Sequence, residues 1–141
     1  MKIIGFNLHK LSIERKNALK GKLNIKSKLD IEDIRQEIVP ISKSPALKFD
    51  FAYSITYEPN VAKTDIKGSV IALDDKNEAE SILKEWKSKK FSNQLKVPLF
   101  NFILSKCNLK ALKLEDELGL PLHIPFPKLR PRPDGPANYT G

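Results

Sequence analysis

Cysteine is nearly absent from this sequence and histidine is scarcely more frequent, and neither occurs at a spacing that familiar chemistry requires. Cys107 stands alone, so no disulfide can form within the chain, which suits a reducing compartment. Its place at helical spacing from Ile103 and Leu104 marks it as a small buried hydrophobe rather than a reactive thiol. His9 and His123 have no second imidazole or thiolate at ligand spacing, so no zinc site is expected. The 6 glycines form no phosphate-cradling loop, dinucleotide fingerprint or nucleophile elbow. Asp74-Asp75 and Glu115-Asp116-Glu117 are the nearest approach to carboxylate clusters, and both read as helix-terminal or solvated charge. These absences argue against an enzyme and call for neither cofactor nor metal. No apolar run approaches the ~20 residues that span a bilayer, so no integral membrane insertion is expected. The opening Met1 to Asn7 lacks the long apolar stretch and cleavage site of a signal peptide, which points to the cytoplasm. Asn138-Tyr139-Thr140 matches the glycosylation acceptor pattern, a coincidence without a secretory signal.

What is present is an ordinary soluble composition, 40% hydrophobic and 30% charged over 141 residues, enough for one core. Lys and Arg number 25 against 17 Asp and Glu, a net charge of +8. Only Arg15, Arg35, Arg130 and Arg132 are arginines. A lysine-rich surface raises encounter rates with acidic partners but does not set the fold.

Hydrophobic alternation marks the first half as strands. Ile4, Phe6 and Leu8 share one phase, then Leu11 and Ile13 the other, so a bulge is expected near His9 and Lys10. Residues 22–32 alternate again through Leu23, Ile25, Leu29 and Ile31, and the short polar link Asn17 to Gly21 predicts an antiparallel hairpin with the first strand. The clearest alternation runs through Leu47, Phe49, Phe51, Tyr53, Ile55 and Tyr57. Glu58-Pro59-Asn60 supplies a turn into a fourth strand, in which Gly68 predicts a bulge or the close approach of something large.

At Asp74-Asp75 the period lengthens to that of a helix. Ala79, Ile82, Leu83 and Trp86 fall on one face, with acids at the start and lysines at the end. A second, strongly apolar helix is expected to begin near Pro98, and a third to run from Leu109 to Leu118 with Gly119 as its cap. Six of the ten prolines lie in the last 21 residues, so that region is extended. Leu122, Ile124, Phe126 and Leu129 are expected to pack on the domain. The organisation is thus one α+β domain over 1–129, a four-stranded antiparallel sheet with C-terminal helices, and a polar, disordered tail over 130–141.

This order of elements resembles the SecB family of export chaperones. The points of contact are Tyr53–Tyr57 (YSITY) with the strand that follows, Val97–Cys107 (VPLFNFILSKC) and Gly119–Pro125 (GLPLHIP). The resemblance covers about residues 1 to 128. It implies a homo-oligomer, a dimer or a tetramer built as a dimer of dimers, that holds unfolded polypeptides in apolar grooves without ATP and serves protein export. The chain departs from that family's usual acidic balance.

The residues expected to bind polypeptide are Trp86 and Phe91, between the first two helices, with Phe126 in the proline-rich segment. Phe49 and Tyr57 are further candidates, although a core-facing stripe explains them better. The competing reading is a basic ribosome- or RNA-associated protein whose Lys128, Arg130 and Arg132 lie along phosphates.

Overall fold

The computed structural model describes residues 1–40, 45–132 and 135–140, with side chains described as far as Pro127 and at Leu129. Four long strands come first: β1 (Lys2–Arg15), β2 (Asn24–Glu37), β3 (Ala46–Glu58) and β4 (Ala62–Leu73). Two helices follow, α1 (Lys76–Lys87) and α2 (Asn93–Glu117), and then two short strands, β5 (Lys128–Arg132) and β6 (Gly135–Thr140). The fold is α+β.

The four strands form one antiparallel sheet in the order β1-β4-β3-β2. The expected hairpin between β1 and β2 is therefore wrong: the two lie on opposite edges. The most apolar strands, β3 and β4, occupy the centre, flanked by a strand on each side, and the two strands with a wetter face take the edges. The link between the edge strands is tied to the β3–β4 turn. Val61 O accepts from Lys16 N at 2.7 Å, and Asn60 O accepts from Asn17 Nδ2 at 2.7 Å. Asn60 has a φ of 48°, the left-handed conformation that asparagine tolerates in a tight turn.

The phase slip in β1 is a real bulge, since Leu8 pairs with Gly68 while Lys10 pairs with Lys67, leaving His9 unpaired. Gly68 answers to close packing. A Cβ there would stand 2.3 Å from Asn7 O and 2.9 Å from Phe51 Cζ. The missing side chain lets Phe51 lie across β4 and stack on Phe6 of β1, ring centres 5.7 Å apart.

Alternate β3 residues from Leu47 to Tyr57 are all buried, and α2 covers them. Its buried residues Leu99, Ile103, Cys107 and Ala111 recur every four positions, one ridge along the helix. The helix begins at Asn93, not at Pro98, whose absent N–H leaves only the exposed Gln94 carbonyl for solvent. Nor does it break after Asn108, because that side chain is engaged inside the protein and gives the backbone no competing partner. Gly119, at φ 66°, ends the helix in a Schellman motif: Leu120 N donates to Glu115 O and Gly119 N to Asp116 O. Arg15 Nη1 adds a bond to Leu118 O at 2.9 Å, a cation at the negative helix end.

The tail expected to be disordered runs instead as the antiparallel β5–β6 ribbon. A two-stranded ribbon is all edge, and Pro131 falls where its register shifts, so the proline displaces no ladder bond between paired residues. Among the described residues no helix is long and apolar enough to cross a membrane.

Candidate functional site

Trp86 lies in the last turn of α1, on the face that Ala79 and Ile82 turn to the core. Its indole Nε1 donates to Asp33 Oδ1 of β2 at 3.4 Å, which holds the ring over the sheet edge. The chain then turns through Lys89, at φ 57°, and Phe91 packs on core residue Phe49 with ring centres 6.1 Å apart. Phe100 arrives from the second turn of α2. Together with Leu29 and Ile31 of β2, these three rings line a surface cleft of about 300 Å³. Two cations stand on its rim. Lys89 Nζ lies 4.9 Å from the Trp86 ring centre and Lys96 Nζ lies 5.2 Å from that of Phe100.

The cleft opens beside strand β2, which among the described residues pairs only with β3. Ser27, Lys28, Asp30 and Glu32 are exposed along it. An unpaired ladder next to an apolar recess can take up extended backbone and one or two side chains at once.

Of the residues expected to bind polypeptide, Trp86 and Phe91 thus come together. Phe126 does not join them; it is 58% exposed in the segment after α2. Phe49 and Tyr57 are wholly buried, so the core-facing reading holds for them and neither is a surface site. The side chains of Lys128, Arg130 and Arg132 lie outside the described residues. Phe100, Leu29 and Ile31 were missed as site residues, for in the sequence each belongs to a core pattern of its own element.

A second constellation is buried and polar. Glu115, expected to be helix-terminal or solvated charge, is fully buried near the end of α2, and its carboxylate accepts from His123 N at 2.9 Å and faces His123 Nδ1 at 2.7 Å. His123 Nε2 stands 3.0 Å from Asn108 Oδ1, which also accepts from Tyr53 Oη at 2.9 Å. Tyr57 Oη donates to Pro121 O. Burial pushes the Tyr53 phenol up to about 12, while burial and then the charge of Glu115 raise that of Tyr57. Burial also raises the Cys107 thiol to about 11. Both ring nitrogens of His123 are engaged and its side chain is 4% exposed, so this cluster anchors the 119–125 segment to α2.

A third group lies at the start of α1, where Asp74, Asp75 and Glu78 bring carboxylate oxygens within 4.8 Å of one another. Asp75 caps the helix by accepting from Glu78 N at 2.8 Å. A hydrogen bond and charge from Asp74, then the charge of Asp75, raise the Glu78 carboxyl. These oxygens would suit a hard cation, but the positive helix end beside them favours the anions already there.

No family model matches the sequence. A curated relative, Protein TIC 214 of Chaetosphaeridium globosum, is 33% identical over 113 residues, 78% of this chain. The match takes in 7% of that protein, so the chain spans a small part of the length of the relative it matches. Among solved structures, the Mycobacterium tuberculosis SecB-like chaperone Rv1957, in complex with a ChAD peptide from the Rv1956 HigA1 antitoxin, matches with a TM-score of 0.53. The match covers 86% of this chain and 84% of that one at 16% identity. At that identity the likeness is one of architecture: the four-stranded antiparallel sheet and its helices form a SecB-like fold.

Proposed function

We propose that this protein is a non-enzymatic holdase that binds unfolded or non-native polypeptide without nucleotide. The observation that carries this reading is the cleft of Trp86, Phe91 and Phe100 opening beside the unpaired edge of β2. Such a site is indifferent to most of a client's sequence, because the strand offers main-chain hydrogen bonds and the recess takes whichever large apolar side chain is near. The SecB-like neighbour is itself a chaperone bound to a peptide, which supports the same use of the fold here. Assembly into a dimer or tetramer, a cytoplasmic site of action and a link to protein export belong to this proposal.

The direct test is suppression of aggregation of a chemically unfolded client at near-stoichiometric ratios, followed by Trp86 fluorescence. The emission is expected to shift with the unfolded client and not with the same client folded. A Trp86→Ala, Phe91→Ala variant that keeps its circular dichroism and mass is expected to lose suppression. If that variant protects as well as the parent, the cleft is not the site. A parent that gives no protection, yet binds ribosomal RNA with a steep salt dependence, would replace this reading with the RNA-associated one. Light scattering at the 16.0 kDa monomer mass would refute the oligomer.

A further inference from the structure

Beside its apolar residues the cleft is lined by one carboxylate, Asp30, and by two lysines, Lys89 and Lys96, which are exposed. Neither Lys89 nor Lys96 joins an ion pair among the described residues. The nearby acids are already engaged: Asp30 pairs with Lys28 at 3.4 Å, and Asp33, which accepts from Trp86, pairs with Arg35 at 3.2 Å. The local charge left unanswered is therefore positive, in the same sense as the chain's +8.

We infer that the cleft selects extended polypeptide segments in which a large apolar side chain is flanked by carboxylates. This rests on the polypeptide-binding reading above and adds the class of client. The volume, about 300 Å³, lies at the small end of the roughly 300–1,000 Å³ range of ligand clefts, which suits a side chain or two rather than a cofactor. Flanking carboxylates at that depth meet Lys89 and Lys96, while the backbone of the segment runs along β2. A nucleic acid would also meet lysines and aromatic rings, but it would use them differently. Single strands bind by stacking bases on ring faces. Here one lysine ammonium stands beside each of the Trp86 and Phe100 rings, and what favours a peptide is the edge of β2, whose amide groups extended backbone matches and a nucleic acid does not.

The experiment uses the full chain and three tryptophan-free peptides of equal length with a central Phe, flanked by Asp and Glu, by Ser and Gln, or by Lys. Trp86 emission reports binding at low and high salt. Exposed ion pairs contribute about 0.2–1 kcal/mol each, so two should make the acidic peptide tighter than the neutral one by roughly 2–30-fold. The lysine-flanked peptide should be weakest, and high salt should bring the three together. Lys89→Glu, Lys96→Glu changes two exposed side chains and is expected to reverse the order. Equal binding of all three peptides to the parent at low salt overturns the charge selection and leaves polypeptide binding standing. Binding of none, with no suppression of client aggregation, overturns both. An oligoribonucleotide that binds and displaces the acidic peptide would assign the cleft to nucleic acid and overturn the inference.

Discussion

His123→Ala removes a ring whose two nitrogens both face oxygen acceptors inside the protein, and the cost can be worked from what is left behind. The bond from Nδ1 to the Glu115 carboxylate, 2.7 Å at its shorter contact, is to a charged group, worth about 1.5–3 kcal/mol. The contact of Nε2 with Asn108 Oδ1 at 3.0 Å adds about 0.5–1.5 kcal/mol. The carboxylate keeps the bond from His123 N at 2.9 Å but remains fully buried without its ring partner. Removing one member of such a buried pair costs about 3–5 kcal/mol, in line with the two bonds taken together. Set against a typical domain stability of about 5–15 kcal/mol, the loss is large.

Urea unfolding followed by circular dichroism measures it, with the midpoint falling and the slope unchanged if the native state keeps its compactness. A Glu115→Leu, His123→Leu double variant separates a lost pair from lost packing. With no charge left unpaired, it is expected to recover most of the stability. A His123→Ala variant within about 0.5 kcal/mol of the parent, the range of an ordinary surface change, would refute the argument. It would mean that the segment from Gly119 to Pro125 is not fastened through its histidine.

Gly68→Ala should destabilise by more than the roughly 1–3 kcal/mol usual for overpacking, because the new Cβ meets Asn7 O at 2.3 Å, a main-chain atom of the neighbouring strand; a melting temperature equal to the parent's would overturn this. Cys107, wholly buried with its thiol raised to about 11, should resist a disulfide reagent in native buffer and react only as the protein unfolds, and rapid native labelling would contradict that. The same thiol and the Tyr53 phenol set an alkaline limit. Their folded values, about 11 and about 12, stand above the ordinary 9.0 and 10.0, so the stabilisation is complete below pH 9 and is lost as pH rises through the folded values. The slope is at most about 1.4 kcal/mol per pH unit for each group, and a flat profile from pH 9 to 11 would show both groups to be solvated.

Much of the fold was legible because its signals are local. The stripe from Leu47 to Tyr57, the slip beside His9 and the Gly119 cap each reside in a few adjacent residues, and periodicity or backbone chirality reads them directly. The order of strands was not legible, since a link as short as Asn17 to Gly21 suits both a hairpin and a crossover held by the β3–β4 turn. Helix bounds failed for a related reason. Pro98 reads as a local start signal and Asn108 as a break before a third helix, and tertiary burial of the ridge from Leu99 to Ala111 outweighed both. The buried pair of Glu115 and His123 has no sequence signal, because its members lie on different segments and only the Schellman turn between them brings them face to face.

The candidate site divides along the same line, and the topology decides it. Trp86 and Phe91 could be singled out as large apolar side chains in a polar stretch, but what they face follows from where β2 lies. Had β1 and β2 paired as a hairpin, that pairing would occupy one side of β2, and with β3 on the other no ladder would remain open. In the order β1-β4-β3-β2, β2 is an edge, and among the described residues its ladder reaches one neighbour. An edge carrying Ile31 and Leu29 beside three aromatic rings is a template for another strand, and proteins commonly blunt such edges with charge or a bulge. Here the register of β2 does shift between Ile31 and Asp33, and Lys26 and Lys28 stand exposed along it. Asp30 and Glu32 are exposed on the same strand, so β2 itself carries both signs, and the charge that would favour an acidic client stands on the cleft rim at Lys89 and Lys96 rather than on the strand.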